Sequence, residues 1–170
     1  MMSPMGITAS LVVGIDGSTT WSANSAGIST PADSADFLAR RKGYDCIIIG
    51  GNTARTEPYS QTPVPLVIIS RGEINPVPQN PDAFLWNVSI TDAIEAARKE
   101  FGADIHIEAG ASLVKELLEK QRVDDLYLTL TPALGGSHPF DWKSALKTFP
   151  HCAMHEIGVT KFYHASKLER

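Results

Sequence analysis

The run at residues 105–132, IHIEAGASLVKELLEKQRVDDLYLTLTP, constrains the fold more tightly than any other part of the chain. Ile105 and Ile107 alternate with His106 and Glu108, the period of two that marks a strand. Four small residues follow: Ala109, Gly110, Ala111 and Ser112. Leu113, Val114, Leu117 and Leu118 then recur at helical spacing, with Lys115, Glu116, Glu119 and Lys120 on the other face. Glu116 and Lys120 make an i,i+4 pair in the favourable order. Val123, Asp124 and Asp125 turn the chain, and Leu126, Leu128 and Leu130 alternate with Tyr127, Thr129 and Thr131 as a second strand. The whole run reads as a βαβ unit.

A helix that opens directly after a strand, through residues without bulky side chains, exposes unpaired backbone N–H groups and the positive end of its dipole. The turn at Gly110, Ala111 and Ser112 is therefore suited to a phosphate or pyrophosphate. A plain βα turn, kept small for close packing, accounts equally for the same residues. The run is not a G-x-G-x-x-G fingerprint.

The chain has 170 residues, which predicts a single domain with its own core. A net charge of −4 gives no broad basic surface, so neither nucleic acid nor an anionic membrane is the expected partner. No apolar run is long enough to span a bilayer. The start, MMSPMGITAS, has no charged segment ahead of a hydrophobic one, so no secretory signal is read there. Residues 1–5 read as a loose terminus. Cys46 and Cys152 sit in apparent strands and form no C-x-x-C, and a reduced cytoplasmic setting is the simple expectation.

Along the chain, residues 7–13 form an apolar strand that runs into the turn Gly14-Ile15-Asp16-Gly17-Ser18. Asp16 thus stands at a strand end, where open α/β sheets gather ligand-binding groups, although an Asp that shapes a turn fits as well. Residues 19–29 are a polar loop. Thr30-Pro31-Ala32-Asp33 starts a helix with an N-cap hydroxyl and Pro at the first helical position. Phe37 and Leu38 are expected on its buried side, and Arg40, Arg41 and Lys42 as partners of its C-terminal dipole rather than as ligands. Residues 46–49 are apolar on both faces, as a central parallel strand requires.

That strand ends in Gly50, Gly51, Asn52 and Thr53, where two glycines let backbone approach a ligand, Thr53 offers a hydroxyl and Arg55 a charge. A second buried strand, residues 66–69, ends in Ser70 and Arg71. A hydroxyl beside a guanidinium suits a monophosphate, or is simply an exposed turn. Residues 73–81 are a loop, 84–86 a short strand and 90–101 an amphipathic helix capped by Ser89 or Thr91. Residues 140–148 carry no decisive pattern. Residues 154–157 and 159–165 read as two strands joined tightly around Gly158. The sum is an α/β fold with a mixed, mostly parallel sheet flanked by helices and an antiparallel C-terminal hairpin. Four strand ends, at Asp16, residues 50–53, residues 70–71 and residues 108–112, carry small or polar residues. If they share one edge they form one cleft.

Four segments then point to a family: IDG at 15–17, DCIIIGGNT at 45–53, VIISRG at 67–72 and IEAGASLVKELLEKQRVDDLYLTLTPALGG at 107–136. On these the chain resembles, over residues 7–165, the C-terminal reductase domain of bacterial riboflavin-biosynthesis deaminase-reductases, whose fold is dihydrofolate-reductase-like. The resemblance implies NADPH-dependent reduction of 5-amino-6-(5-phosphoribosylamino)uracil, with hydride reaching ribose C1, in a homodimer. It implies cofactor contacts at Gly50, Gly51 and Thr53, a 2′-phosphate site at Ser70 and Arg71, and a pyrophosphate turn at Gly110, Ala111, Ser112 and Leu113. It places the acids Asp16 and Glu108 in the catalytic, substrate-side region, with Ser18, Arg55 and Glu57 also expected on the substrate side.

Three departures stand out. Ser18 replaces the Lys that usually follows the family's DG. Glu57-Pro58 replaces its Asp-(Asp/Asn)-Pro, with one residue fewer. Ala109-Gly110 replaces the Gly-Gly of its EGG. No H-x-E with P-C-x-x-C occurs, so zinc deamination is excluded on sequence and no metal is expected. Ser18 motivates a first alternative, a reductase of the same fold acting on another heterocycle such as a pterin. The altered Glu57 segment motivates a second, an NADPH-binding protein without catalysis.

Overall fold

Alternating apolar runs separated by amphipathic helices build one sheet with helices packed against it. The computed structural model describes residues 6–108 and 110–169. Residues 1–5, expected as a loose terminus, and Ala109 of the expected turn lie outside the described residues. The elements are β1 (Ile7–Gly14), α1 (Pro31–Arg41), β2 (Cys46–Gly50), α2 (Gly51–Thr56), β3 (Leu66–Ile69), β4 (Ala83–Trp86) and α3 (Ile90–Glu100). They continue as β5 (Ile105–Ile107), α4 (Ala111–Glu119), β6 (Asp125–Thr131), α5 (Trp142–Lys147), β7 (His151–Ile157) and β8 (Thr160–Ser166).

Among the described residues the sheet has eight strands in the order β4-β3-β2-β5-β1-β6-β8-β7. From β4 to β6 every neighbouring pair is parallel. β8 joins β6 antiparallel, and β7 closes the sheet antiparallel to β8. Gly158, at φ +60, supplies the left-handed residue of the short turn between β7 and β8. The mostly parallel sheet and the C-terminal hairpin are those the sequence predicts.

Strand alternation gives the sheet two different faces. On one, Ile7, Ala9 and Val13 of β1, Ile105 and Ile107 of β5, and Leu126 and Leu128 of β6 pack in the main core. α3 adds Ile90, Ala93, Ile94 and Ala97, and α4 adds Val114 and Leu117. The other face is apolar only under β2 and β3, where Ile47, Ile49, Leu66 and Ile68 pack with Ala54, Tyr59 and Val77. Over β5, β1 and β6 that face presents His106, Ser10 and Tyr127, and α1 lies across it.

Three local expectations are revised. Leu38 is 54% exposed, and α1 turns Asp33, Phe37, Arg40 and Arg41 inward instead. The sheet beneath α1 is polar there, so a polar helix face meets it. Residues 51–56, for which the sequence predicts no helix, form the short helix α2. Residues 140–148 contain α5, whose cap is Asp141 accepting from the Ser144 N–H at 3.1 Å. α5 buries only Ala145 and Leu146, too few to make a periodic signal.

Leu117 is fully buried, so Leu117→Ala is expected to cost about 2–5 kcal/mol. Thr30 Oγ1 accepts from the Asp33 N–H at 3.2 Å, so Thr30→Ala is expected to cost about 1 kcal/mol. Urea unfolding measures both, as a lower midpoint at unchanged slope.

Candidate functional site

Because β2, β3, β5, β1 and β6 run the same way, their C-terminal ends share one edge. A cleft of about 1380 Å³ opens there. Ser10, Tyr127 and Thr129 line it from the strands, Phe37, Arg40 and Arg41 from α1, and Thr53, Gly110, Ala111 and Ser112 from the starts of α2 and α4.

Glycines set one end of this edge. A Cβ on Gly51 would lie 3.0 Å from Ser70 Oγ and 3.2 Å from Arg55 Nη1. One on Gly50 would lie 3.2 Å from Leu113 Cδ1, and one on Gly110 would lie 3.7 Å from Thr53 Oγ1. Gly50, Gly51, Thr53, Ser70, Gly110 and Leu113 thus meet at one rim. Gly50, Gly51, Ser70 and Leu113 sit behind the cleft lining rather than on it. Arg71 continues outward from Ser70 and is exposed.

The helices differ in how they begin. α1, α3 and α5 are capped by Thr30, Ser89 and Asp141. α2 and α4 begin after Gly50 and Gly110 with no side-chain cap. Among the described residues no side chain caps the start of α4, and Gly110, Ala111 and Ser112 there line the cleft.

On the other side, Asp16 lines the cleft but both its oxygens are engaged. Oδ1 accepts from the Ser18 hydroxyl at 2.6 Å and the Ser18 N–H at 3.0 Å, and Oδ2 accepts from the Gly135 N–H at 2.7 Å. The Ser18 hydroxyl bond, followed by the Gly135 N–H, lowers the Asp16 carboxyl to about 2. Ser18 itself is buried and does not line the cleft. Glu57 lines the cleft, and its Oε1 accepts from the Ser25 N–H at 2.6 Å, tying the polar loop 19–29 to the end of α2. Arg55, expected on the substrate side, is not on the lining. Because 51–56 is helical, its side chain folds back one turn onto Gly51.

Glu108 anchors the cleft floor. Its Oε1 accepts from Arg41 Nε at 2.9 Å and its Oε2 from the Tyr59 hydroxyl at 2.8 Å. His106 Nδ1 also lies 3.0 Å from Oε1, but at an angle short of an aligned hydrogen bond. Burial pushes the Glu108 carboxyl up; the His106 contact and the Arg41 charge outweigh it, and the net direction is down. Burial holds His106 below its ordinary value, so the ring is neutral. A neutral ring has one N–H, and a lone pair facing the carboxylate would repel it, which assigns the proton to Nδ1. Nε2 then accepts from the Ser10 hydroxyl at 2.7 Å, while Ser10 accepts from Arg40 Nη1 at 2.8 Å. Burial, then the Glu108 charge, raises the Tyr59 hydroxyl well above its ordinary value, so it stays a donor.

Sequence reasoning missed Arg41, Tyr59, His106 and Arg40 as parts of this floor. A usable signal existed. A carboxylate directly after an apolar strand is buried and needs a cation, and the strongest run of cations in the chain closes α1.

The model of the RibD C-terminal domain family matches residues 6–148. Among curated protein sequences, none matches this chain significantly. Solved structures of the same fold include a pyrimidine reductase-like protein from Corynebacterium diphtheriae, at 17% identity over 97% of this chain and 92% of that one, with a TM-score of 0.70. A diaminohydroxyphosphoribosylaminopyrimidine deaminase/5-amino-6-(5-phosphoribosylamino)uracil reductase from Thermotoga maritima matches at 11% identity, 95% and 56% coverage and 0.69. RibD of Acinetobacter baumannii matches at 15% identity, 96% and 58% coverage and 0.69. The chain therefore spans little more than half of the last two proteins. At these identities the likeness is one of fold.

The buried pair under α1 predicts acid sensitivity. The unfolded chain takes up protons at the ordinary values of 6.5 for His106 and 4.5 for Glu108, whereas the folded chain resists both. Each lowered value contributes stability that is full above the ordinary value and is lost as pH falls towards the folded one. Stability is expected to fall first below 6.5 and again below 4.5, by up to about 1.4 kcal/mol per pH unit for each proton. Urea midpoints followed against pH measure this, and Glu108→Gln is expected to shrink the lower limb to the part that Asp16 and Asp141 contribute below their ordinary value of 3.8.

Proposed function

The chain belongs to the RibD C-terminal domain family, and from that premise we propose that it is an NADPH-dependent reductase of a phosphorylated ribosylaminopyrimidine, 5-amino-6-(5-phosphoribosylamino)uracil or a close relative. The observation that carries the reading is the rim of small residues beside a cleft that takes in Arg40, Arg41 and Glu108. Gly110 lies on the cleft with only Thr53 Oγ1 near the place of its missing Cβ, which lets a dinucleotide approach backbone there, while Gly50 and Gly51 let Leu113 and Ser70 pack close behind it. The side-chain-uncapped start of α4, at Gly110, Ala111, Ser112 and Leu113, suits its pyrophosphate. Thr53 offers a hydroxyl at the same rim, and Ser70 with Arg71 suits a 2′-phosphate. When bound, the cofactor supplies a hydride.

The opened ribosylamine accepts that hydride at C1 of its C=N bond, and the nitrogen takes a proton, leaving a ribitylamino group. Glu108 is charged and saturated, so its role is to hold Arg41 and Tyr59 in place under the sugar rather than to donate a proton. Asp16, charged and clamped between Ser18 and Gly135, likewise fixes the shape of the cleft mouth. Arg40 and Arg41 line the α1 wall as ion pairs with Asp36 and Glu108, which fixes guanidinium donors towards the cleft.

One observation favours a second reading, a reductase of the same fold acting on another heterocycle such as a pterin. Ser18 is buried against Asp16 and brings no cation to the cleft where the family usually has Lys.

The chain is also proposed to act as a homodimer. All seven residues of the edge strand β7 are exposed, including Met154 and Ile157, and an open edge of this kind is normally covered. Two unbridged cysteines suit a reducing cytoplasm. No helix among the described residues is long and apolar enough to cross a membrane.

NADPH oxidation followed at about 340 nm tests the reading against a panel of ribosylaminopyrimidine phosphates and dihydropterins. Turnover of the former is expected. Turnover of dihydropterins alone selects the second reading, and binding without oxidation refutes both. Glu108→Gln is expected to lower turnover by about a hundredfold at nearly unchanged NADPH affinity. Light scattering at working concentration is expected to give a dimer, and a monomer contradicts that part.

A further inference from the structure

We infer that Ser10 and His106 form a proton relay that opens the ribosylamine ring of the substrate, with Ser10 the group that touches it and His106 acting through Ser10. The inference rests on the reductase reading above and fills a step it leaves open. Hydride can reach C1 only after the C1–O4′ bond has broken and the C=N bond has formed. The cleft floor holds groups suited to that step in one line. Ser10 Oγ lies 2.7 Å from His106 Nε2, and His106 Nδ1 lies 3.0 Å from Glu108 Oε1. A hydroxyl backed by an imidazole, itself backed by a carboxylate, is a hydroxyl with a base behind it.

Ser10 lines the cleft, while His106 is fully buried beneath it. Hydrogen-bond counting leaves Ser10 open on the cleft side. A hydroxyl has one proton and two lone pairs. The proton goes to Nε2, and Arg40 Nη1 donates to one lone pair at 2.8 Å, so the other is left for a ligand N–H. The same Arg40 contact stabilises negative charge on the oxygen during transfer. His106 is poised to take a proton. Tyr44 stacks on the ring and Phe37 tilts against it. Burial keeps it neutral at rest, Arg40 and Arg41 also oppose a charge on it, and Glu108 favours one. Its Nδ1 makes no aligned hydrogen bond in this resting state, and a charged ring would strengthen the contact with Glu108.

On opening, the ribosylamine N–H gives its proton to Ser10 Oγ as Ser10 passes its own to His106 Nε2. The nitrogen lone pair forms C1=N, the C1–O4′ bond breaks, and O4′ takes a proton from water. Once C1 is reduced, His106 returns its proton through Ser10 to the nitrogen. The proton at nitrogen is thus borrowed, and the one that the whole reaction consumes enters at O4′.

The test needs no cofactor, because opening and reclosing the ring exchange the two anomers at C1. Exchange NMR of 5-amino-6-(5-phosphoribosylamino)uracil with the whole chain reads that rate above the protein-free background. The wild type is expected to accelerate it. Ser10→Ala and His106→Gln are expected to lose about a hundredfold, both here and in kcat for NADPH oxidation, and Ser10→Thr to recover most of it. Glutamine keeps hydrogen-bonding groups at 106 but cannot carry the proton, so a merely structural role predicts exchange retained by His106→Gln. The wild-type acceleration is expected to fall at a pH below 6.5, as the ring becomes charged before it can accept. Exchange retained by Ser10→Ala overturns the relay. So does a wild type that oxidises NADPH with this substrate yet leaves the anomers at the background rate, and the reductase reading survives both results. A wild type with neither exchange nor oxidation overturns the relay and that reading together. If thermal midpoints show that the variants do not fold, the wild-type profile decides: an acceleration that stays flat down to the onset of acid unfolding overturns the relay.

Discussion

Parallel pairing is the constraint on which the molecule depends. Six neighbouring strands, from β4 to β6, run in one direction, so their ends fall on one edge whatever residues they carry. Parallel strands cannot be joined by tight turns, and each must be reached by a crossing segment that starts at that edge. The chain uses those starts for its least bulky residues. Gly50, Gly51 and Gly110 weaken the local elements that contain them, and each would be poorly placed in a strand or helix interior. Gathered at one rim, they let Leu113 and Ser70 pack closely behind the cleft and leave Gly110 on its lining.

The two faces of the sheet then divide the work. The face under α3 and α4 is apolar and supplies most of the burial. The face under α1 carries a connected polar layer running from Arg40 through Ser10 and His106 to Glu108, Arg41 and Tyr59. Desolvating a carboxylate and a guanidinium is costly, and their attraction offsets that cost only with good geometry and further hydrogen bonds. Here the Tyr59 hydroxyl supplies one, and His106 Nδ1 adds a 3.0 Å contact. Such a layer ties α1 to a single seating on the sheet, where a purely apolar contact would tolerate sliding.

The elements with strong periodicity were legible in the sequence, and so was the order of small and polar strand ends. Ile105, Ile107, Leu113, Val114 and Leu117 announce their strand and helix because each apolar residue faces one core. What stayed illegible lies where that rule fails. Leu38 looks like an inward residue because the helix pattern presumes an apolar partner; the partner is His106 and Tyr127, so Arg41 goes inward. The helix α2 is too short, and begins with too poor a helix former, to register against a turn. That Arg55 falls off the cleft lining is not legible either, because position along the chain does not give the direction a helical side chain leans. The partners of Glu108 come from residues 41, 59 and 106, and no local pattern joins positions so far apart.

The close fit around Ser18 bears on how this chain can change. A Cβ on Gly14 would sit 2.7 Å from Ser18 Oγ and 2.5 Å from the Ala133 carbonyl, and one on Gly136 would sit 2.8 Å from Ser18 Cβ. Position 18 is thus walled in by two loops that the Asp16 to Gly135 hydrogen bond draws together. A lysine there, the family's usual residue, has no space until the 133–136 loop moves as well. Position 18 and its facing loop are therefore sterically coupled: enlarging the one residue alone distorts the mouth of the cleft, and only a paired change keeps its shape.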